Sequence, residues 1–436
     1  MRKMKDSGIE WIGEIPESWD VGKLGYFIQV FNGDRSSNYP SGNDLQEEGI
    51  PFLTSSNLEK DELTLDECKY ITQEKYDSMG GFKMQINDII YCLRGSVGKC
   101  SINLTEEQGT VASSLMGIRC TKIDPKFLLY ILKSSVVDTQ NALFINGTCA
   151  ANLSAENVLE YRIPILDTKA QVDIVDYLDK KCAEIDAIIA AKEKTNELLK
   201  ERRQSIIYEA VTKGLDPTVP MKDSGIEWIG KIPESWSFSK LKYDAYMKGR
   251  IGWQGLKADE FIEEGTYLVT GTDFEDGKVR WERSYHISEE RFNEAPEIQL
   301  KEQDLLITKD GTIGKLAYID YLPGLASLNS HLLVIRPKRE RFLNKYLYWV
   351  LSSDVFVQYT EYAQDGTIMA SLSQEKISQF VFGLPSIQEQ QMIAKYLDEQ
   401  CAEFDALISA NESTIEKLKE YRQSVIYEAV TGKVEI

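Results

Sequence analysis

The sequence has few of the residues that most often carry catalysis and metal binding. It contains 2 histidines in 436 residues, so imidazole-based catalysis and histidine-rich metal sites are poorly supplied. Its 7 cysteines are scattered, without a Cys-x-x-Cys pair, which argues against a zinc site or a disulfide framework and for reduced thiols. No apolar run approaches the length of a transmembrane helix, and residues 1–6 lack the apolar stretch of a signal peptide. We therefore expect a cytoplasmic protein with no metal site and no membrane partner.

Negatively charged residues outnumber positively charged ones. Lys and Arg number 50 against 69 Asp and Glu, a formal net charge of −19. Such a chain is repelled from DNA at long range, which disfavours tight unaided binding. Local basic patches, or positive surface supplied by a partner subunit, would still permit DNA recognition.

What the sequence does contain is an internal repeat. Residues 4–19 read MKDSGIEWIGEIPESW and residues 221–236 read MKDSGIEWIGKIPESW, with one change, Glu14 to Lys231. Two further pairs follow: residues 177–189 match 396–408, and residues 203–212 match 422–431. The chain is thus a tandem duplication in which the ends of each half stayed nearly fixed and the middles diverged. A protein that recognises two different targets with two domains held in the same geometry would have this pattern.

Two segments, 173–212 and 392–431, lack proline and glycine and predict one long helix each. Positions spaced alternately by four and three residues are mostly apolar, as in a helix–helix seam. In the first segment these positions are Leu178, Cys182, Ile185, Ile189, Lys192, Asn196, Leu199, Arg203, Ile206 and Ala210. In the second they are Leu397, Cys401, Phe404, Ile408, Asn411, Ile415, Leu418, Arg422, Val425 and Ala429. The polar residues at the centre, Lys192, Asn196 and Asn411, would help to set the register.

The segments 20–165 and 237–384 are rich in β-branched and aromatic residues and contain turn signals such as Asp276-Gly277. Shorter helices are expected near 126–135 and 343–353. We therefore expect an α+β fold: two domains with approximate two-fold symmetry, separated by two long antiparallel helices that form a coiled-coil spacer.

The repeated opening motif and the twin helical segments with YLD and RQS-IYEAVT closely resemble specificity subunits of type I restriction–modification systems. The resemblance covers essentially the whole chain. It implies two target recognition domains at 1–165 and 215–384, and two spacer helices at 166–214 and 385–436. It further implies that the chain binds a bipartite DNA target and directs adenine-N6 methylation and restriction by its partners.

The partners implied by this resemblance are double-stranded DNA with a split target, two methyltransferase subunits and restriction subunits. No cofactor is expected on this chain, because S-adenosylmethionine, ATP and Mg would be bound by those partner subunits. No catalytic residue is assigned to the chain either.

A Gly-x-x-Gly-Lys pattern occurs in both halves, at 95–99 and 311–315. Neither copy has the spacing of a nucleotide-binding P-loop. The pattern is either a structural β-turn or a loop that meets DNA phosphates, and its survival in both halves favours the second. The residues assigned to DNA binding here are Arg94, Gly95, Ser96, Lys99, Lys309, Gly311, Thr312 and Lys315.

A second pair of motifs follows a strand-like run in each half. Its short hydroxyl, amide and carboxyl side chains suit hydrogen bonds to phosphates or base edges, and equally suit an ordinary turn. The residues assigned here are Thr54, Ser55, Ser56, Asn57, Thr270, Thr272 and Asp273.

Other repeated motifs have plainer interpretations. Leu-Ser at 153–154 and 372–373, after Gly-Thr at 147–148 and 366–367, predicts helix N-capping. The tryptophan-rich opening motif predicts a packed lead-in to each domain. For the Tyr-Glu-Ala-Val motifs that begin at Tyr208 and Tyr427, helix packing and a docking surface for two copies of one partner remain equally open.

Two rival functions are less well supported. A self-sufficient adenine methyltransferase needs an Asn/Asp-Pro-Pro-aromatic motif, and the sequence contains no Pro-Pro pair. A coiled-coil adaptor that binds proteins without DNA specificity gives no reason for two large domains that diverged differently.

Overall fold

The computed structural model describes residues 2–35, 39–66, 68–145, 152–250, 256, 260–309, 314–363 and 373–436. The chain forms two compact units. The first contains Met1–Glu193 with Glu412–Ile436, and the second contains Lys194–Asn411. Each unit is α+β, as the sequence predicts.

The first unit begins with short strands and ends with a long helix. Its strands are β1 (Met4–Asp6), β2 (Glu14–Pro16), β3 (Asp20–Lys23), β4 (Ile28–Asn32), β5 (Leu45–Gln46), β6 (Ile50–Leu53), β7 (Lys69–Ile71), β8 (Ile89–Cys92), β9 (Cys100–Ile102), β10 (Thr110–Val111), β11 (Leu115–Cys120) and β12 (Arg162–Ile165). Its helices are α1 (Gln73–Ser78), α2 (Pro125–Leu132), α3 (Ser135–Phe144), α4 (Ala155–Leu159) and the first part of α5 (Thr168–Lys213).

Two four-stranded sheets form the body of the first unit. One has the strand order β10-β6-β7-β5, with β10 parallel to β6, and the other is antiparallel with the order β4-β11-β8-β9. Leu53, Ile90, Val111 and Leu115, one each from β6, β8, β10 and β11, meet in a buried apolar cluster. That cluster fixes the ends of these four strands relative to one another.

The second unit repeats most of this order of elements and adds a short helix and a short hairpin. Its strands are β13 (Met221–Asp223), β14 (Lys231–Pro233), β15 (Ser237–Lys240), β16 (Ala245–Lys248), β17 (Thr266–Val269), β18 (Phe274–Glu275), β19 (Lys278–Val279), β20 (Tyr285–Ile287), β21 (Leu305–Thr308), β22 (Leu316–Tyr318), β23 (Ala326–Leu328), β24 (Leu332–Pro337) and β25 (Val381–Leu384). Its helices are the last part of α5, α6 (Leu241–Asp244), α7 (Glu289–Asn293), α8 (Asn344–Leu351), α9 (Asp354–Ala363), α10 (Gln374–Gln379) and the first part of α11 (Ile387–Val430), whose last part belongs to the first unit.

The sheets of the second unit correspond to those of the first. One has the order β20-β17-β23, with β23 parallel to β17, and the other is antiparallel with the order β16-β24-β21-β22. Val269, Leu306, Leu328 and Leu332 meet in its core at the positions matching the cluster of the first unit. The same framework is therefore built twice from middles that have diverged.

The two long helices confirm the prediction of one helix per repeated segment, and both begin five residues earlier than predicted. The Asp167 carboxylate accepts a hydrogen bond from the Ala170 N–H at 3.0 Å and the Ser386 hydroxyl accepts one from the Glu389 N–H at 3.3 Å, which caps the first turns. Gly214 (φ +75°) and Gly432 (φ +71°) lie just beyond the C-terminal ends, in the left-handed conformation that ends helices.

In the first unit, the beginning of α5 packs against the end of α11. Ile174, Leu178 and Cys182 share a buried cluster with Val425 and Ala429. Residues early in one helix thus meet residues late in the other, so the helices pair antiparallel. All are seam positions of the predicted register except Ile174. The position that continues the register before Leu178 is Val175, which is buried in the same cluster.

In the second unit, the end of α5 packs against the beginning of α11. Ile206 and Ala210 share a buried cluster with Leu397 and Cys401, which again makes the pairing antiparallel. Closer to the helix centres, the Asn411 Nδ2 donates to the Asn196 Oδ1 at 2.9 Å. This amide pair satisfies two polar groups inside the seam, and a shifted register would leave them unpaired.

The recurrence of the YLD motif has a structural reason. In the first unit, the Asp179 carboxylate accepts from Tyr130 Oη at 2.7 Å and pairs with Lys126 Nζ at 2.8 Å, which ties α2 to α5. In the second unit, the Asp398 carboxylate accepts from Trp349 Nε1 at 3.0 Å and pairs with Lys345 Nζ at 3.2 Å, which ties α8 to α11. The motif therefore anchors each globular body to its long helix.

The opening motifs are packed lead-ins, as the sequence predicts. Trp19 and Trp236 are both 2% exposed. The Tyr427 hydroxyl donates to the Ile12 carbonyl at 3.2 Å, so the Tyr-Glu-Ala-Val motif of α11 packs on the lead-in of the first unit. This contact accounts for helix packing and leaves a docking role of these motifs as a prediction.

Candidate nucleic-acid interface

In the first unit, the two predicted DNA-binding segments lie at one edge of the paired sheets. Thr54 follows the end of β6, and Arg94 follows the end of β8. The Ala112 N–H donates to the Leu53 carbonyl at 2.8 Å, and the Leu93 N–H donates to the Ser114 carbonyl at 2.8 Å. The turn that leads into β11 therefore lies between the two segments and joins them into one surface.

The segment Thr54–Asn57 is a capped 3-10 turn. The Thr54 N–H donates to the Asn57 Oδ1 at 2.9 Å, and the Thr54 and Ser56 hydroxyls hydrogen-bond at 2.8 Å. Asn57 is only 4% exposed, and its Nδ2 lies 3.1 Å from Cys68 Sγ. The Asn57 side chain thus holds the turn, while Ser56 is exposed and Thr54 and Ser55 are half-buried.

The matching segment of the second unit has the same geometry. The Thr270 N–H donates to the Asp273 carboxylate at 2.7 Å, and the Thr270 and Thr272 hydroxyls hydrogen-bond at 2.7 Å. Asp273 is 1% exposed, so its carboxylate also holds the turn. Thr272 is the exposed member of this segment.

The Gly-x-x-Gly-Lys segment of the first unit is the connection between β8 and β9. Gly95 (φ +80°) and Gly98 (φ +92°) both adopt left-handed backbone, which explains the two glycines. Arg94 and Ser96 are exposed. The Arg94 Nε donates to the Asn152 Oδ1 at 3.1 Å, and the Lys99 Nζ lies 2.6 Å from the Glu59 Oε1.

The ion pair of Lys99 with Glu59 is exposed, with 39% and 63% of the two side chains accessible. Pairs of this kind contribute little stability, on the order of 0 to 1 kcal/mol. Lys99 can therefore exchange its carboxylate partner for a phosphate at small cost.

In the second unit, the matching connection is described in part. Gly311 and Thr312 lie outside the described residues. Lys309 and Lys315 are half-buried on either side of them. The Lys315 N–H donates to the Thr308 hydroxyl at 2.9 Å, and Gly314 has φ +77°. The structural turn that was one of the two open interpretations is present in the first unit, and in the second unit only its ends are described. A DNA contact is compatible with this geometry and stays a prediction.

The sequence interpretation missed the turn between the two segments. It consists of Ser113 and Ser114 in the first unit and Ser330 and His331 in the second. Its signal in the sequence is a pair of polar residues directly before a buried strand, which is too common to single out by itself. The hydrogen bonds that place it connect strands far apart in sequence, so only the fold reveals it.

A group of charged side chains links this edge to the long helix in the first unit. Asp61 lies in the loop that follows the Thr54–Asn57 turn, and its carboxylate pairs with Lys133 and with Arg422. Arg422 also pairs with Asp186 at 3.0 Å. Burial raises the pKa of Asp61, but Lys133 and Arg422 outweigh it and leave the pKa lowered. The carboxylate is therefore ionised at neutral pH and holds the loop to α2 and α11.

Among the described residues, no group of three or more His, Cys, Asp and Glu side chains is placed to hold a metal ion. Within the same part of the chain, no helix combines the length and apolar character needed to cross a membrane.

The Leu-Ser motifs cap helices, as predicted, where they are described. The Ser154 hydroxyl accepts from the Asn157 N–H at 3.2 Å, and the Ser373 hydroxyl accepts from the Lys376 N–H at 3.2 Å. The Gly-Thr pairs at 147–148 and 366–367, with Leu372, lie outside the described residues.

Comparison with known proteins identifies relatives along nearly the whole chain. The putative type I restriction enzyme MjaX specificity subunit of Methanocaldococcus jannaschii is 23% identical over 434 residues, covering 98% of this chain and 96% of that protein. The type I restriction enzyme MjaVIII specificity subunit of the same organism is 23% identical over 432 residues, covering 97% and 94%.

A chain solved in a study of complex assembly and conformational transition of the type I R-M system has the same fold, with a TM-score of 0.73 and 16% identity, covering 96% of this chain and 99% of that one. The family model of the type I restriction modification DNA specificity domain matches residues 16–200 and 252–420. Because these two segments make up well over half of the chain, the protein belongs to the family of type I restriction modification DNA specificity domains.

Proposed function

We propose that this chain is the DNA sequence-recognition subunit of a type I restriction–modification complex, and that each unit reads one part of a bipartite target. The relatives named above are specificity subunits of type I restriction enzymes. Membership of a DNA specificity family favours this function over an adaptor that binds proteins alone.

One observation carries the proposal. In each unit, three chain segments meet at the same edge of the same pair of sheets, and backbone hydrogen bonds at matching positions hold them there. The residues that hold the edge correspond between the units, whereas the exposed residues differ. Two domains that recognise different base sequences need a common backbone framework with different exposed side chains.

The proposed chemistry belongs to partner subunits. Two methyltransferase subunits, using S-adenosylmethionine, would methylate adenine N6, and restriction subunits, using ATP and Mg, would cleave unmodified DNA. This chain would recognise the DNA sequence at which those subunits act, and it would do so in the cytoplasm. Its net charge of −19 favours DNA binding in the assembled complex, where partner subunits add positive surface.

The experiment removes one lysine from each proposed edge. We expect Lys99→Ala and Lys315→Ala each to lower the affinity of the complex for DNA and to reduce the slope of log affinity against log salt by about 1, the effect of losing one phosphate contact. Filter binding or fluorescence anisotropy with a target-containing duplex, from low to high salt, measures both quantities.

Lys122 and Lys338 provide matched controls. Both are exposed, and they follow β11 and β24 at the ends away from the proposed edge. Their replacement by alanine should leave the salt slope unchanged. A slope that Lys99→Ala and Lys315→Ala leave equal to that of the two controls would remove the Gly-x-x-Gly-Lys loops from the interface.

A further inference from the structure

The turn between the two predicted segments occupies the middle of the proposed edge in each unit. In the first unit its flanks are fixed by the bonds from Ala112 to Leu53 and from Leu93 to Ser114. In the second unit the Asn329 N–H donates to the Val269 carbonyl at 2.9 Å, and the Lys309 N–H donates to the His331 carbonyl at 3.0 Å. The turn thus touches both segments at once.

The backbone of this turn is the same in both units. The Leu115 N–H donates to the Ala112 carbonyl at 2.9 Å, and the Leu332 N–H donates to the Asn329 carbonyl at 3.2 Å. The leucine that follows the turn is 0% exposed in each unit. The buried leucine and three backbone hydrogen bonds fix the backbone of the turn. The Cα position from which each side chain of the turn projects is therefore fixed as well.

The side chains on this matched backbone differ. The last residue of the turn is Ser114 in the first unit and His331 in the second, and the carbonyl of each accepts the bond from the residue after β8 or β21. His331 is exposed, and Ser114 is half-buried. In the second unit, the Ser330 hydroxyl donates to the Asn329 Oδ1 at 2.9 Å, so Ser330 is engaged within the turn.

Resting on the function proposed above, we infer that Ser114 and His331 are specificity-determining residues, each contacting base edges of the half-site read by its own unit. Both residues lie at the centre of the proposed edge, on a backbone that has the same hydrogen bonds in both units. A substitution there changes the exposed surface and leaves this backbone unchanged. A serine hydroxyl both donates and accepts within a short reach, and an imidazole presents a donor and an acceptor further from the backbone. The two residues therefore suit different base-edge patterns in the major groove.

A reciprocal exchange tests this inference. The full chain, assembled with its methyltransferase subunits, is incubated with a degenerate double-stranded oligonucleotide pool, and the retained DNA is sequenced. His331→Ser should change the base preference at one or two positions of one half of the enriched motif, by about tenfold at the affected position, the effect of one base contact. Ser114→His should change positions of the other half only.

The outcomes separate this inference from the proposed function. A two-part motif that both variants leave unaltered, or a variant that alters both halves, overturns the role of the turn and leaves the proposed function intact. Failure of the wild-type complex to enrich any two-part motif overturns the proposed function itself. His331→Ala, which removes the imidazole without adding a hydroxyl, should relax the same positions that His331→Ser changes.

Discussion

Arg203 and Arg422 occupy equivalent positions of the repeat, yet their surroundings differ. Arg203 pairs with Asp405 at 3.2 Å, with 24% of its side chain exposed. Arg422, at 15% exposure, pairs with Asp186 and with Asp61 at 2.8 Å. Asp61 is the fourth residue after Asn57, and Gly277 is the fourth residue after Asp273, so the two positions correspond. Gly277 has no carboxylate to replace that of Asp61, and an added Cβ there would lie 2.1 Å from the Tyr348 hydroxyl.

Removal of the Arg422 side chain should therefore lower the free energy of unfolding more than removal of the Arg203 side chain. At neutral pH, we expect Arg422→Ala to lower the free energy of unfolding of the first unit by about 1 to 2 kcal/mol, because it leaves Asp61 and Asp186 with fewer partners. Arg203→Ala, the matched control, should cost roughly half as much or less. Denaturant unfolding of the full chain, followed by probes in each unit, measures the two changes.

The cost of Arg422→Ala should also depend on pH. Despite burial, Lys133 and Arg422 hold the folded-state pKa of Asp61 below its ordinary value of 3.8, so its stabilisation is present above that value and is lost as the pH falls through the folded-state pKa. The difference between wild type and Arg422→Ala should thus shrink below about pH 4. Equal effects of the two arginine variants at pH 7, or a difference that persists unchanged at pH 3, would contradict the role given to Asp61.

At the level of single residues, sequence patterns predict backbone needs better than side-chain tasks. The repeated glycines predict a tight loop, and Gly95, Gly98 and Gly314 do adopt left-handed backbone. The inward direction of Asn57 and Asp273 could not be predicted, since a polar residue after a strand suits a cap and a ligand contact equally. In the structure both side chains are buried and hold their turns.

At the level of elements, the long helices were the most predictable part of the fold. Their seam depends on a period of 3.5 residues, which the sequence displays directly, and every predicted seam position is buried or half-buried. The sheets were less predictable, because their order depends on hydrogen bonds between strands distant in sequence. The anchors Asp179 and Asp398 were visible as a repeated YLD motif, but their partners on α2 and α8 were not.

The paired helices predict a distinct effect of lengthening them. Insertion of seven residues after Glu193 and another seven after Asn411 adds two turns to each helix, roughly 10 Å, and preserves the seam register. We expect the spacer of the DNA target to lengthen by about three base pairs at 3.4 Å per pair, with both half-sites unchanged. Sequencing of methylated DNA from cells that contain the variant and its methyltransferase reads out the motif.

The control is the same insertion in one helix only. It makes the two helices unequal in length, so the seam contacts on the two sides of the insertion can no longer form together. It should therefore destabilise the chain instead of lengthening the spacer. A double insertion that leaves the spacer length unchanged would mean that the helices do not set it.

For the whole molecule, the duplication predicts modular recognition. Exchange of residues 20–165 for the corresponding segment of another family member should change one half of the target and leave the other half intact, because the exchanged segment contains the complete proposed edge of the first unit. Exchange of residues 237–384 is the matched control and should alter the opposite half. Methylome sequencing distinguishes the two results, and a target that neither exchange changes would refute modular reading.

The composition of the first unit has a consequence for biosynthesis. Its core contains Val425 and Ala429 beside Leu178 and Cys182, although Lys194–Asn411, the whole second unit, lies between them in the chain. A ribosome adding 5 to 20 residues per second needs roughly 10 to 40 s to make that intervening stretch. The first unit is therefore translated first but completes its core last. Until the end of α11 has been translated, the apolar face of nascent α5 in this unit stays exposed or is bound by a chaperone.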